Sequence, residues 1–233
     1  MSRLDILLWI VFPYSALAVF VTGHIWRWRT DQLGWTTRST QLLERRWLAW
    51  GSNLFHLGAL MAIGGHVVGI LVPKGVTDAV GVSEDSYHAI SVAAGTIAGI
   101  LCIAGLAILI MRRVTMPRVA ATTTTADLVA YAALTVAIVT GVIATSGYQL
   151  LTDGYDYRTT VSPYFRGVLT LDPAAGGIDT APFIYQLHVF ASFALYALWP
   201  FTRLVHVWSV PWRYLVRRPI VYRAARSAQG PSR

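Results

Sequence analysis

The sequence predicts an all-α membrane protein, a bundle of five transmembrane helices, and three observations carry that reading. The chain of 233 residues is 55% hydrophobic and 13% charged, with a mean hydropathy of +0.52, outside the range of soluble domains. Five stretches contain no Asp, Glu, Lys or Arg, and each is long enough to cross about 30 Å of hydrocarbon as a helix. The basic residues alternate between the two sides of these stretches with a strong bias to one.

The first stretch runs from Ile6 to Trp26. Asp5 beside Arg3, the lack of a small-residue cleavage site and a basic segment after the apolar run mark an uncleaved first helix rather than a secretory signal. The second and third run from Trp47 to Pro73 and from Ser86 to Met111; Gly95 and Gly99 in the third form a small-x-x-x-small pair suited to helix packing. The threonine run before Asp127 predicts a capped start for the fourth, Leu128 to Thr152. The fifth, Thr180 to Thr202, contains Pro200, which removes a backbone hydrogen bond and bends helices. Between the fourth and fifth lies the longest loop, with turns at Pro163, Pro173, Gly176 and Gly177, long enough to fold over one face of the bundle. No internal repeat and no second folded domain are found: residues 1–211 form one transmembrane domain and 212–233 a basic tail.

Of the 19 basic residues, all but Arg3, Lys74, Arg158 and Arg166 follow the first, third or fifth stretch, where the only acids are Asp31, Glu44 and Asp127. The positive-inside rule therefore places the N-terminus outside and the tail in the cytoplasm of a bacterial or archaeal cell membrane. The net charge of +8 does not point to nucleic acid, because the arginines are juxtamembrane and dispersed among Trp and Tyr, as headgroup anchoring by membrane lipid requires. Arg112 and Arg113 read as such anchors. Cys102 is alone, so there is no disulfide framework.

The second and fifth stretches raise a harder question, since they hold or border four histidines: His56, His66, His188 and His206. An ionisable group within hydrocarbon costs about 2 kcal/mol or more unless it has a partner. Metal ligation supplies one, with a neutral imidazole giving a lone pair to iron and its N–H to a carbonyl. Helical geometry separates His56 and His66 by about 15 Å of rise and places His188 and His206 five whole turns, about 27 Å, apart. Each helix thus offers one imidazole to each leaflet, and the helices are antiparallel. The pairing is then crossed, His66 with His188 near the outside and His56 with His206 near the cytoplasm. The two rises differ by about 12 Å, which tilt, oblique seating and a bend at Pro200 would have to absorb. Small residues, Gly58, Gly64, Gly65, Gly69, Ala191 and Ala194, would leave room for the edge of a planar macrocycle. Zinc is disfavoured because no Cys or carboxylate accompanies the imidazoles. His24, beside Trp26 and Trp28, reads as an interfacial anchor, and His88, beside Tyr87, as a cap or part of an outer substrate site.

The segments NLFHLGALMAIGGHVVGILVP and YQLHVFASFALYALWPFTRLVHVWSVPWRYLVRRP resemble the gamma subunit, or membrane cytochrome b, of respiratory nitrate reductase. The resemblance implies a five-helix subunit holding two b hemes, with His66 and His188 on the outer heme and His56 and His206 on the inner one. It implies quinol, menaquinol or ubiquinol, as the substrate near the outer face. Electrons would pass to a cytoplasmic iron–sulfur subunit and a molybdenum-containing catalytic subunit, where nitrate reduction would take place. The family's quinol-site glycine falls on Gly65, while its quinol-site lysine falls on Ser86, so Tyr87, His88 or a redirected Lys74 would have to supply the hydrogen bond. A cytochrome b subunit of a sulfur-compound reductase and a heme-free histidine-lined transporter are the alternatives.

Overall fold

The computed structural model of the chain describes residues 2–31, 34–35, 39–152, 154–173 and 177–208, and the regular structure of these residues is helical. The tail, 212–233, lies outside them. Four helices are long and apolar enough to cross a membrane: α1 (Arg3–Thr30), α2 (Arg46–Leu71), α3 (Glu84–Thr115) and α4 (Thr125–Leu151). A further helix, α5 (Phe183–Leu198), has 16 residues, about 24 Å of rise. The end of the bundle carrying Lys74 and Arg158 is called outer and the opposite end inner, after the charge asymmetry of the sequence.

The expected fifth stretch to Thr202 does not stay α-helical. Proline cannot donate to the preceding turn and crowds it, so α5 stops at Leu198 and the chain continues in 3₁₀ turns at Trp199–Phe201 and Arg203–Val207. Between them Thr202 is extended, with φ −116° and ψ 179°, and its hydroxyl accepts the N–H of Leu204. The carbonyls of Pro200 and Thr202 accept from Arg27 of α1 at 2.7 and 3.0 Å. A cationic side chain from another helix thus repairs the break.

The main packing runs α2 on α3, α3 on α4, α4 on α5 and α5 on α1. Glycines permit the closest of these contacts. A Cβ on Gly58 would lie 2.7 Å from the carbonyl oxygen of Ala98, and one on Gly105 would fall on the backbone nitrogen of Phe55. Gly95 and Gly99 face Thr145 and Val142 of α4, the packing role expected of the pair. Large apolar residues such as Leu60, Ile100 and Val114 point outward, as a hydrocarbon surround allows.

Three helices widen into a π-turn in their outer halves, at Leu7–Val11, Val67–Leu71 and Ile143–Tyr148. Such turns disturb the carbonyl ladder. Side chains from the outer segment and α5 satisfy those carbonyls: Tyr164 Oη donates to Trp9 at 2.8 Å, Ser162 Oγ to Gly69 at 2.8 Å, Arg166 Nη1 to Ile70 at 2.7 Å and Tyr185 Oη to Ala144 at 2.9 Å. The first three donors sit on an amphipathic helix, Val161–Thr170, whose Val161, Tyr164 and Val168 pack into a core with Trp9, Tyr185 and Phe193. The long loop is therefore a lid tied to α1 and α2 through their own backbones.

An ionic clamp holds the start of the lid. Lys74 Nζ lies 2.6 Å from Glu84 and 3.1 Å from Asp156, and Arg158 Nη2 bonds both Glu84 oxygens at 2.6 Å. The bonds from Glu84 and Asp156 hold the Lys74 ammonium above its ordinary range. Burial raises the Asp156 carboxyl, but hydrogen bonds from Lys74 and the Arg158 amide outweigh it and leave it below the usual range. A lowered acid stabilises above its unfolded value and loses that stabilisation as pH falls through the folded one; a raised base behaves in the opposite sense. The clamp is therefore expected to hold between about pH 4 and about pH 10.5, with proteolysis of the 154–173 segment accelerating outside that window. Equal cleavage rates at pH 3 and pH 7 would contradict this assignment.

Candidate functional site

Histidine rings meet in two places. His66 of α2 and His188 of α5 have centroids 6.0 Å apart and ring planes inclined at 41°. His56 of α2 and His206 of the second 3₁₀ turn are 5.9 Å apart, inclined at 71°. The break at Pro200 gives His206 its position, because an unbroken helix would have carried it along five straight turns.

Each ring is oriented by the same device. Nδ1 of His56 lies 2.7 Å from the carbonyl of Ser52, that of His66 2.6 Å from Ala62, that of His188 3.0 Å from Ala137 and that of His206 2.8 Å from Arg203. A carbonyl only accepts, so Nδ1 carries the proton in every case and the lone pair resides on Nε2. Metal–nitrogen bonds run about 2 Å, so ring centroids about 6 Å apart leave room for one ion between two imidazoles. The residues present therefore fit a metal held between paired imidazoles.

The inner pair lines a cavity of about 440 Å³, within the range of cofactor sites. Its walls are apolar, with Leu106, Leu109 and Leu134, and its inner rim carries Arg112, Arg113 and Arg203. The first two are not headgroup anchors, as their position at the end of a span led us to expect. Arg112 is 2% exposed and bonds Glu44 through Nε at 2.7 Å, with Thr40 and the Glu44 carbonyl on its other nitrogens. Arg113, 5% exposed, reaches Asp127 at 3.3 Å and Thr123 at 3.0 Å. Asp127 also takes Arg203 through Nε at 2.8 Å and Nη2 at 2.6 Å, and Arg203 is the residue whose carbonyl orients His206. Asp127 had signalled only a helix cap, a role it retains with Thr124. Its arginine partners lie 14 and 76 residues away, beyond any local pattern.

Around the outer pair, a Cβ on Gly141 would lie 2.8 Å from Cε1 of His188, so this glycine makes room for the ring. Gly64 and Gly65 face open space, whereas Gly58 is filled by α3 and Gly69 by the hydroxyls of Tyr87 and Tyr157. Macrocycle clearance is thus confined to the middle two of the four glycines. Ser86 is exposed and bonded to Ser83. Tyr87 bonds Tyr157 at 3.0 Å beneath the Arg158 guanidinium, 3.7 Å from its ring. His88 bonds Gln149 at 3.0 Å. Ser86 and His88, two residues apart on a helix, face nearly opposite ways. Lys74 is held in the clamp by Glu84 and Asp156. His24 packs among Phe20, Trp35 and Trp208.

Helices suited to crossing a membrane, with imidazoles of distant segments facing one another at two depths, define a multi-pass membrane protein with paired-histidine sites. The family model for the nitrate reductase gamma subunit matches residues 5–225, and the chain belongs to that family. It is 43% identical to a nitrate reductase gamma chain of Bacillus subtilis over 93% of its own length and 97% of that protein. It is 34% identical to the respiratory nitrate reductase 1 gamma chain of Escherichia coli, covering 96% and 99% of the two. A nitrate reductase-like protein, NarX, of Mycobacterium tuberculosis is 47% identical over 94% of this chain, which spans 34% of that protein. Membership makes the chain a membrane subunit of an oxidoreductase complex with other nitrate reductase subunits.

Removing one partner from a buried ion pair costs about 3–5 kcal/mol. Asp127→Ala strands two arginines and is expected to lower thermal stability in detergent by that order, with Asp127→Glu milder. Unchanged melting of Asp127→Ala would contradict the network.

Proposed function

We propose that this chain is the di-heme cytochrome b subunit that anchors nitrate reductase to the membrane, oxidises quinol near the outer face and passes electrons inward to a cytoplasmic iron–sulfur subunit. On this reading α5 and its 3₁₀ continuation make the fifth crossing, the N-terminus lies outside and the basic tail inside. The observation that carries the proposal is the pair of imidazole couples, each with centroids about 6 Å apart and each with Nδ1 tied to a carbonyl. Family membership supports it independently.

His66 and His188 would hold the outer b heme, and His56 and His206 the inner one. When bound, the two hemes supply sequential one-electron acceptance. The chain does the rest. Carbonyl tethers orient each ring, and leucines line the inner cavity. Arg112, Arg113 and Arg203 place positive charge where the carboxylates of an inner macrocycle would emerge. Quinol would approach the outer pair beside Gly65 with His88 toward its headgroup, since Ser86 lies on the opposite face of the same helix bonded to Ser83 and Tyr87 is bonded to Tyr157. Moving an electron inward against a membrane negative inside costs about 2.3 kcal/mol per 100 mV, so the terminal acceptor must be strongly oxidising. Nitrate meets that requirement, and its reduction belongs to a molybdenum-containing catalytic subunit.

Pyridine hemochrome analysis of the purified chain is expected to give two b hemes per polypeptide. His188→Ala should remove the outer heme alone, and Gly141→Val should do the same by driving a side chain into the His188 ring. A colourless protein overturns the proposal; loss of the inner heme from either variant overturns the pairing.

A further inference from the structure

His88 is not used by the imidazole pairs, yet its neighbours fix its protonation geometry. Gln149, from the outer end of α4, donates through Nε2 to the carbonyl of Tyr155 at 2.7 Å and accepts the N–H of the same residue on Oε1 at 2.9 Å. A carbonyl cannot donate and an amide N–H cannot accept, so only one orientation of the Gln149 amide satisfies both. Tyr185 agrees with it: its hydroxyl donates to the Ala144 carbonyl at 2.9 Å and accepts from Gln149 Nε2 at 2.7 Å. Oε1 therefore faces Nε2 of His88, 3.0 Å away, and that nitrogen must be the donor. The neutral ring has its lone pair on Nδ1, which no hydrogen bond among the described residues occupies. This is the reverse of the four paired histidines, whose lone pairs lie on Nε2.

His88 also stands at the right level. The Tyr87 hydroxyl lies where a Cβ on Gly69 would meet it at 3.0 Å, three residues outward of His66, and Tyr185, bonded to Gln149, lies three residues outward of His188. From both sides the His88 turn is thus about one helical turn, about 5 Å, beyond the outer ring pair. His88 is eighteen residues before Leu106, five whole turns, and so shares the α3 face that lines the inner histidine cavity. The residue is exposed, and its bond to Gln149 is half-buried.

We propose that His88 Nδ1 is the base that takes the hydroxyl proton of quinol, and that Gln149 is the positioning residue that reserves this nitrogen for it. The inference rests on the quinol-oxidising reading. For each quinol, two O–H bonds break in succession and both protons leave through His88 to outer water, the ring returning to neutral between them. The oxidant is the hemes of the proposed function, which would take the two electrons one at a time as the quinol becomes quinone. Imidazole suits this transfer near neutral pH, and a positioned base contributes about 10²–10⁴-fold.

The test uses the full complex in detergent, with menadiol as the probe, stopped-flow heme reduction as the rate and hemochrome analysis as the control. His88→Ala is expected to keep both hemes and their reduction by dithionite, to lower kcat with menadiol about 100-fold with little change in KM, and to regain rate with added imidazole. His88→Gln, which keeps a donor toward Gln149 without a basic nitrogen, decides the matter if His88→Ala alters heme content. Gln149→Leu should also lower kcat, and Gln149→Glu, which keeps an oxygen for Nε2–H, should restore at least half of the loss. A kcat within twofold of the parent, an effect confined to KM or failure of imidazole rescue overturns the role of His88. Equal rates for the two Gln149 variants overturn that of Gln149. Absence of heme from the parent complex defeats the underlying reading instead.

Discussion

A helix bundle in hydrocarbon has no water to which it can turn a polar group, and an unmet donor or acceptor there costs several kcal/mol. Each departure from a plain helix is accordingly met by a side chain. Arg27 covers the carbonyls opened at Pro200, while Tyr164, Ser162, Arg166 and Tyr185 cover those of the π-turns. The histidines obey the same requirement, because a ring whose Nδ1–H is spent on a backbone carbonyl has only Nε2 left with which to act. Satisfying the proton therefore also aims the lone pair. The ring geometry is in this sense a by-product of solvent exclusion.

How far this was legible in the sequence depended on the range of the interaction. A span is a property of consecutive residues, and a histidine's depth follows from counting along one helix, so the membrane class and the crossed partners could be read directly. The misfit of about 12 Å between the two histidine spacings was the visible trace of a wrong assumption, that the helix runs unbroken past Pro200. Proline announced a bend, but not that Thr202 would extend and let a 3₁₀ turn present His206 to His56. The headgroup-anchor reading of Arg112 and Arg113 failed because a cation at the end of a span normally meets headgroups. What buries them is Glu44 and Asp127, brought in by tertiary contact. Gln149 gave no periodic sign, being an uncharged residue in an uncharged run.

The two histidine pairs are built on unlike supports. The outer rings sit on continuous helix, and their placement depends on steric clearance at Gly141 and on the lid above. The inner pair has one ring on a short 3₁₀ segment, which regular hydrogen bonding alone holds weakly. The arginine–aspartate network supplies the missing rigidity, since Asp127 grips the residue that orients His206 while binding the end of α3. Bulk is thus the sensitive variable outside and charge the sensitive variable inside.

The serine at position 86 then acquires a physical meaning on the quinol reading. A lysine there would assist hydroxyl ionisation by offering a positive donor to the oxygen; a neutral imidazole assists the same event by accepting the proton. Either lowers the cost of losing a proton before an electron leaves. Here Ser86 is engaged with Ser83, and Lys74 is committed to two carboxylates of the lid clamp. Ion pairs as exposed as those of Lys74 are worth little energetically, so weak binding alone would not keep the ammonium from a quinol. What withholds it is the requirement of Glu84 and Asp156 for a cation, shared with Arg158 beneath the same lid. With Ser86 and Lys74 so engaged, a neutral imidazole whose Nδ1 no hydrogen bond among the described residues occupies is the base that the quinol reading leaves at the outer end.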